Sequence, residues 1–177
     1  MKHWKNFYKN SQESDPSNFV KYVLSLNLIN KNDKIIEIGC GNGRDLKHLG
    51  KHFSNVTGID AAEIKDLDYI NQDVCEFIKV PCECDVLYSR FFFHSIPAEL
   101  TEKIIKWNRN FIFAEFRVKE DIPVLFTDHE RFLVDPKWFR NLLISENYQV
   151  LSFEISRGWS KYKNEDPLLA RVITKRI

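Results

Sequence analysis

Between Lys34 and Leu49 the chain passes from a β-branched run, Lys34-Ile35-Ile36-Glu37-Ile38, through Gly39-Cys40-Gly41-Asn42-Gly43 into a helical stretch beginning at Arg44. Three of the chain's 6 glycines sit in this one turn. Glycine lets a backbone bend sharply and approach a ligand where any Cβ would collide. The amides that open the following helix face the same space and favour an anionic or carboxylate-bearing ligand. A tight strand-to-helix turn without a ligand is the alternative. Two familiar nucleotide motifs fail here. Arg44 stands where Gly-x-Gly-x-x-Gly needs its last glycine, which disfavours a nicotinamide cofactor, and no Gly-Lys-Ser/Thr follows as a P-loop requires.

The rest of the chain alternates strand and helix around this anchor. Helical spacing runs from Ser17 to Leu26, with Asp15 as the expected N-cap and Pro16 at the first helical position. Further strands are expected at 55–59, 68–71, 85–88, 111–116, 149–155 and 168–174. Helices are expected after Arg44, around 75–78, over 98–107 and over 136–143, the third with Leu100, Ile104 and Trp107 on one face. Little helical signal separates the second and third strands, and 118–131 reads as a polar loop. The expected fold class is α/β: a doubly wound, mostly parallel seven-stranded sheet with helices on both faces. No crossover helix joins the last two strands, so an antiparallel C-terminal strand is expected.

A length of 177 residues suits one domain. The 26 basic and 25 acidic residues leave a net charge of +1, without the electrostatic footprint of a general nucleic-acid or membrane-surface binder. No apolar run approaches the roughly 20 residues that span a bilayer. The charged N-terminus lacks the apolar core of a signal peptide. Cys40, Cys75, Cys82 and Cys84 have no Cys-x-x-Cys spacing, so no metal site is expected. Cys82 and Cys84 are too close for an ordinary unstrained bridge. Free thiols and a cytoplasmic location are expected.

The element Glu37-x-Gly39-x-Gly41-x-Gly43, with Asp60 closing the second strand and Asp73 following the third, resembles the class I S-adenosylmethionine (SAM)-dependent methyltransferases. The resemblance covers roughly Lys34 to Phe116. It implies a Rossmann-like core over 31–177, preceded by an N-terminal helical lid or cap over 1–30, together forming one methyltransferase domain. The implied cofactor is SAM, with S-adenosylhomocysteine (SAH) as product. In this family an acid at Asp60 binds the ribose hydroxyls, and one at Asp73 binds the adenine. Each carboxylate can accept the hydrogen bonds an adenosine offers, although either aspartate could equally be a helix or turn cap. The implied cofactor set is Tyr8, Glu37, Gly39, Cys40, Gly41, Gly43, Asp60, Ala61, Asp73, Val74 and Ser89. Tyr8 belongs to a possible aromatic lid with Trp4 and Phe7, whose alternative is packing against the first helix.

Methyl transfer is a displacement in which positioning and water exclusion carry much of the work. Acceptors in such sheets lie beyond the carboxyl ends of the strands. Ser89-Arg90-Phe91-Phe92-Phe93-His94 occupies that place. His94 is a candidate general base, since an ordinary histidine pKa of about 6.5 suits neutral pH; packing on the sheet is its alternative. Arg90 is a candidate to hold an anion, and a salt bridge to Glu115 or Asp85 is its alternative. His129, Arg131, Arg157 and Tyr162, on two later loops, join Arg90 as candidate substrate residues. The Asp128-His129-x-Arg131 loop, followed by Gly158-Trp159 and Glu165-Asp166-Pro167, resembles small methyltransferases associated with bacterial surface polysaccharides. That implies a small, anionic acceptor such as a sugar, phosphate or phosphoramidate-type molecule. The alternatives are a nucleic-acid or protein methyltransferase and a non-catalytic SAM-binding protein. Against the nucleic-acid reading stand the +1 charge and Ser89-Arg90-Phe91-Phe92 in place of an Asn/Asp-Pro-Pro-aromatic motif.

Overall fold

A computed structural model describes residues 15–119, 132–161 and 165–177. The elements are α1 (Asn18–Ser25), β1 (Ile35–Ile38), α2 (Arg44–Leu49), β2 (Val56–Asp60), β3 (Ile70–Asn71), α3 (Val74–Phe77), β4 (Val86–Arg90), a 3₁₀ turn (Phe93–Ser95), α4 (Ala98–Trp107), β5 (Phe111–Arg117), α5 (Pro136–Ser145), β6 (Tyr148–Ser156) and β7 (Leu169–Arg176). The seven strands lie in the order β3-β2-β1-β4-β5-β7-β6. β1 to β5 run parallel, and β7 inserts antiparallel between β5 and β6. This is the doubly wound sheet that the alternating pattern predicts. It puts the carboxyl ends of β1, β2 and β4 side by side at the switch in strand order, where open α/β sheets bind ligands.

Both faces of the sheet are covered, so β1 and β4 carry nearly unbroken apolar runs. On one face Phe19, Val20 and Val23 of α1 and Leu49 of α2 pack on Ile35, Tyr88, Phe113 and Ile173. On the other, α3, α4 and α5 bring Val74, Ile104, Phe139 and Leu143 against Ile36, Leu87, Ile112 and Val172.

The first helix begins later than the sequence suggests. Ser17, not Asp15, is the N-cap, its Oγ accepting the Val20 amide at 3.0 Å. A distant residue fixes that choice: Asp45 accepts the Ser17 amide at 2.8 Å and the Ser17 hydroxyl at 2.7 Å. The weak helical signal after β2 reflects a real absence, because no helix forms between β2 and β3. Tyr69 closes that loop, its hydroxyl accepting the Ile64 amide and donating to the Ala62 carbonyl, each at 2.8 Å.

Candidate functional site

The turn after β1 has the backbone its glycines predict. Gly39, Gly41 and Gly43 have φ of 69°, 53° and 72°, a left-handed region that costs other L-residues roughly 1–2 kcal/mol each. A Cβ on Gly39 would stand 2.4 Å from Cδ2 of Phe92, so the turn also packs against the segment following β4. Asp60 ties the turn to the end of β2. Its Oδ2 accepts the Gly41 amide at 2.9 Å and its Oδ1 the Ala62 amide at 2.8 Å. Burial raises its pKa, and those two amide bonds act in the opposite sense. Each oxygen keeps a second lone pair for a ligand hydroxyl.

Two buried oxygens at this end of the sheet lack hydrogen-bond partners among the described residues: Glu37 Oε2 and Ser89 Oγ. Burial, with Asp45 adding repulsion, pushes the Glu37 carboxyl well above the usual carboxylate range. An orphaned acceptor of this kind is costly in a folded interior. Cys40 and Val74 are buried, while Ala61 is half-buried. Burial raises the Cys40 thiol well above its ordinary value, with Glu37 adding to the effect. Asp73 is exposed and caps α3, accepting the Cys75 amide at 2.8 Å. The cap alternative therefore describes a bond it makes.

Asp45, which the sequence did not single out, braces the turn from behind. It is 2% exposed and accepts the Tyr88 hydroxyl at 2.8 Å in addition to both Ser17 groups. One carboxylate thereby joins α1, α2 and β4.

Beyond β4 the backbone is unusual again. Phe91 has φ of 59°, rare for a bulky residue, and its amide donates to the Glu115 carbonyl at 2.8 Å. Strained positions of this sort gather at functional sites. The Phe91 ring lies 4.2 Å from the Arg90 guanidinium carbon and edge-on to His94. Arg90 makes the salt bridge weighed for it: Nε donates to Glu115 Oε1 at 3.0 Å, and Nη2 donates to Ser160 Oγ at 2.7 Å. His94 is 2% exposed, and its Nδ1 accepts the Arg117 amide at 3.2 Å. A neutral histidine that accepts at Nδ1 carries its proton on Nε2. Proton abstraction at Nδ1 would therefore first have to break the Arg117 contact.

Arg157 is exposed and donates to the Asp166 carbonyl, while the Gly158 amide bonds the Asp166 carboxylate at 2.6 Å. These contacts shape the loop between β6 and β7 that delivers Ser160 to Arg90. Arg117 pairs with Glu165 from the same loop. Tyr8, His129, Arg131 and Tyr162, with Trp4 and Phe7, lie outside the described residues. Among the described residues no group of three or more His, Cys, Asp or Glu could hold a metal. No helix among them is long and apolar enough to cross a membrane.

Residues 12–162 match the family described as "Methyltransferase domain". No curated protein matches the chain in sequence. Solved structures share the fold at low identity. Magnesium protoporphyrin IX methyltransferase from Synechocystis PCC 6803, solved with bound SAM, is 13% identical with a TM-score of 0.64, covering 89% of this chain and 76% of its own. A SAM-dependent methyltransferase from Archaeoglobus fulgidus is 14% identical with a TM-score of 0.68, covering 89% and 92%. TehB from Haemophilus influenzae is 15% identical with a TM-score of 0.72, covering 97% and 66%.

Proposed function

The chain belongs to the methyltransferase-domain family, and from that premise we propose that it transfers the methyl group of SAM to an oxygen or nitrogen of a small, anionic acceptor. One observation carries the reading: the left-handed glycine turn after β1, clasped by Asp60 at the end of β2. SAM, when bound, supplies an electrophilic methyl group on a sulfonium. The residues present fit such a ligand. Asp60 retains acceptor capacity for a ribose diol. Glu37 holds a buried, unpartnered oxygen suited to an ammonium. The glycine turn removes the Cβ atoms that would fill the cradle. Asp73, Ala61 and Val74 would line the adenine side, Cys40 and Ser89 the middle, and Tyr8 the methionine end.

Arg90, at the carboxyl end of β4, would hold the negative group of the acceptor. His94 would act as a positioning residue, since its Nδ1 is occupied by the Arg117 amide. This favours an acceptor atom that is already ionised, or an unprotonated nitrogen, for which no base has to remove a proton before attack. Phosphate, phosphoramidate and acidic sugar acceptors meet that condition. The resemblance to methyltransferases associated with surface polysaccharides points to the same chemistry. His129, Arg131, Arg157 and Tyr162 would complete the acceptor side.

The test is transfer of label from methyl-labelled SAM to a panel of sugar phosphates, free sugars and a nucleic-acid control, with Arg90→Met in parallel. The reading expects transfer to a phosphorylated or acidic member, lost in Arg90→Met while SAH still binds. Transfer only to neutral sugars or to nucleic acid would contradict it.

A further inference from the structure

We propose that Arg171 on β7 is a positioning residue for the acceptor: it offsets the charge of Glu115 and so leaves the charge of Arg90 available to an anion. This rests on the reading of Arg90 as the residue that faces the acceptor.

Arg90, Glu115 and Arg171 stand directly opposite one another in the register of three neighbouring strands. Their side chains therefore share one face of the sheet. The Glu115 carboxylate is divided between them. Oε1 takes Arg90 Nε at 3.0 Å and Oε2 takes Arg171 Nε at 2.8 Å. Side-chain exposures are 14% for Arg90, 8% for Arg171 and 1% for Glu115. The cluster is thus sheltered from water and holds one positive charge in excess.

The nearby carboxylates do not absorb that excess. Glu37 on β1 is pushed towards its neutral form by burial, against the pull of Arg90, and in the cofactor complex its charge would be balanced by the ammonium it faces. Asp45 on α2 lies 3.9 Å from Arg44 Nε, the cation that offsets it, and its oxygens accept from Ser17 and Tyr88. Glu154, opposite Arg171 on β6, accepts from Ser152 and Tyr22 and is exposed, so water screens its charge. Glu165 pairs with Arg117. Among the described residues Glu115 is the one carboxylate in salt-bridge contact with Arg90 or Arg171.

An unbalanced buried charge is expensive to maintain, so something must make it worth keeping. Arg171 Nη2 is buried and has no hydrogen-bond partner among the described residues. Its guanidinium carbon lies 4.4 Å from the ring centroid of Trp159 and 5.1 Å from that of Tyr22. Those rings stabilise the cation without neutralising it, and they shield it from a direct ligand. Arg90 is the more exposed of the two arginines. Its Nη1 has no hydrogen bond among the described residues, and Ser160 fixes its Nη2. A lone Arg90–Glu115 pair would be neutral. With Arg171 behind it, the pair becomes an anion site expressed at Arg90.

The experiment titrates inorganic phosphate into the SAH-saturated protein at low ionic strength, followed by phosphorus NMR line broadening, with SAH affinity measured on every variant. Wild type is expected to bind phosphate saturably. Arg171→Met should weaken it at least about tenfold, the order of effect of one nearby unit charge at an effective dielectric near 20. Adding Glu115→Gln to Arg171→Met restores the charge balance and should return affinity to within about threefold of wild type. A merely structural role for Arg171 would not be rescued that way. Glu115→Gln alone, which leaves both arginines, should bind phosphate at least about threefold more tightly; this arm stands even if Arg171→Met does not fold.

Absence of phosphate binding by the SAH complex overturns the proposal, as does unchanged affinity in Arg171→Met or a double variant no better than the single. No gain in Glu115→Gln overturns it too. Phosphate that competes with SAH would place the anion at the cofactor's own carboxylate and overturn the proposal while the cofactor reading stands. Failure of wild type to bind SAH would refute the cofactor reading itself.

Discussion

Replacing Asp45 by alanine should destabilise the protein far more than its place on a six-residue helix suggests. The carboxylate is 2% exposed and accepts three hydrogen bonds, from the Ser17 amide, the Ser17 hydroxyl and the Tyr88 hydroxyl. Each buried donor left unpaired costs about 1–3 kcal/mol. The Ser17 hydroxyl can turn towards other acceptors, so the sum should lie near 3–5 kcal/mol, the range seen when a buried charged network is broken. Tyr88→Phe removes a single bond to a charged group and should cost about 1.5–3 kcal/mol in the wild-type background. In the Asp45→Ala background the same change deletes an orphaned buried hydroxyl, so it should be neutral or stabilising. Urea unfolding of the four proteins measures this cycle through the midpoints, provided the slopes agree. An equal cost for Tyr88→Phe in both backgrounds would refute the reasoning, because the two groups would then not be coupled. SAH affinity should fall in Asp45→Ala, since the same carboxylate fixes the helix that follows Gly43.

Gly39→Ala should lower SAH affinity at least tenfold by calorimetry, because the added methyl meets Phe92 at 2.4 Å in a left-handed backbone and each fault costs about 1–2 kcal/mol; wild-type affinity would show that the turn need not hold its shape. Asp73→Ala should cost about 1 kcal/mol of stability as a lost cap and, if adenine lies against it, also weaken SAH; a loss of stability alone would reduce Asp73 to its cap. Burial holds the Glu37 carboxyl above its unfolded value of 4.5. The native state therefore keeps that proton to higher pH than the unfolded chain, and this group's contribution to stability declines as pH rises above 4.5. Unfolding midpoints followed upward from that pH should show the decline flattened in Glu37→Gln, and an unchanged slope would count against it.

The parts legible in the sequence were those that depend on neighbours along the chain. The glycine turn, the β-branched runs and the Pro136 start of α5 declare themselves within a few residues. What escaped depends on register and distance. Asp45 carries no local signal beyond that of a first-turn acid, yet its partners lie 28 and 43 residues away, and its bonds to Ser17 fix the first helix cap there rather than at Asp15. Arg171 carried one usable signal, an arginine inside the apolar run Leu169 to Ile173. Only the order β5-β7-β6 brings it opposite Glu115. The left-handed Phe91 had no signal at all, because nothing in Arg90-Phe91-Phe92 asks for a positive φ. His94 was visible as a titratable group after β4, but not the amide that occupies its Nδ1.

Titration calorimetry of the purified protein with SAM, SAH and NAD in parallel tests the central claim most directly. The account predicts micromolar binding of SAM and SAH, a free energy near −8 kcal/mol, with no heat from NAD. Binding of NAD, or of neither adenosyl compound, would contradict it and leave the Gly39 to Gly43 turn as architecture alone.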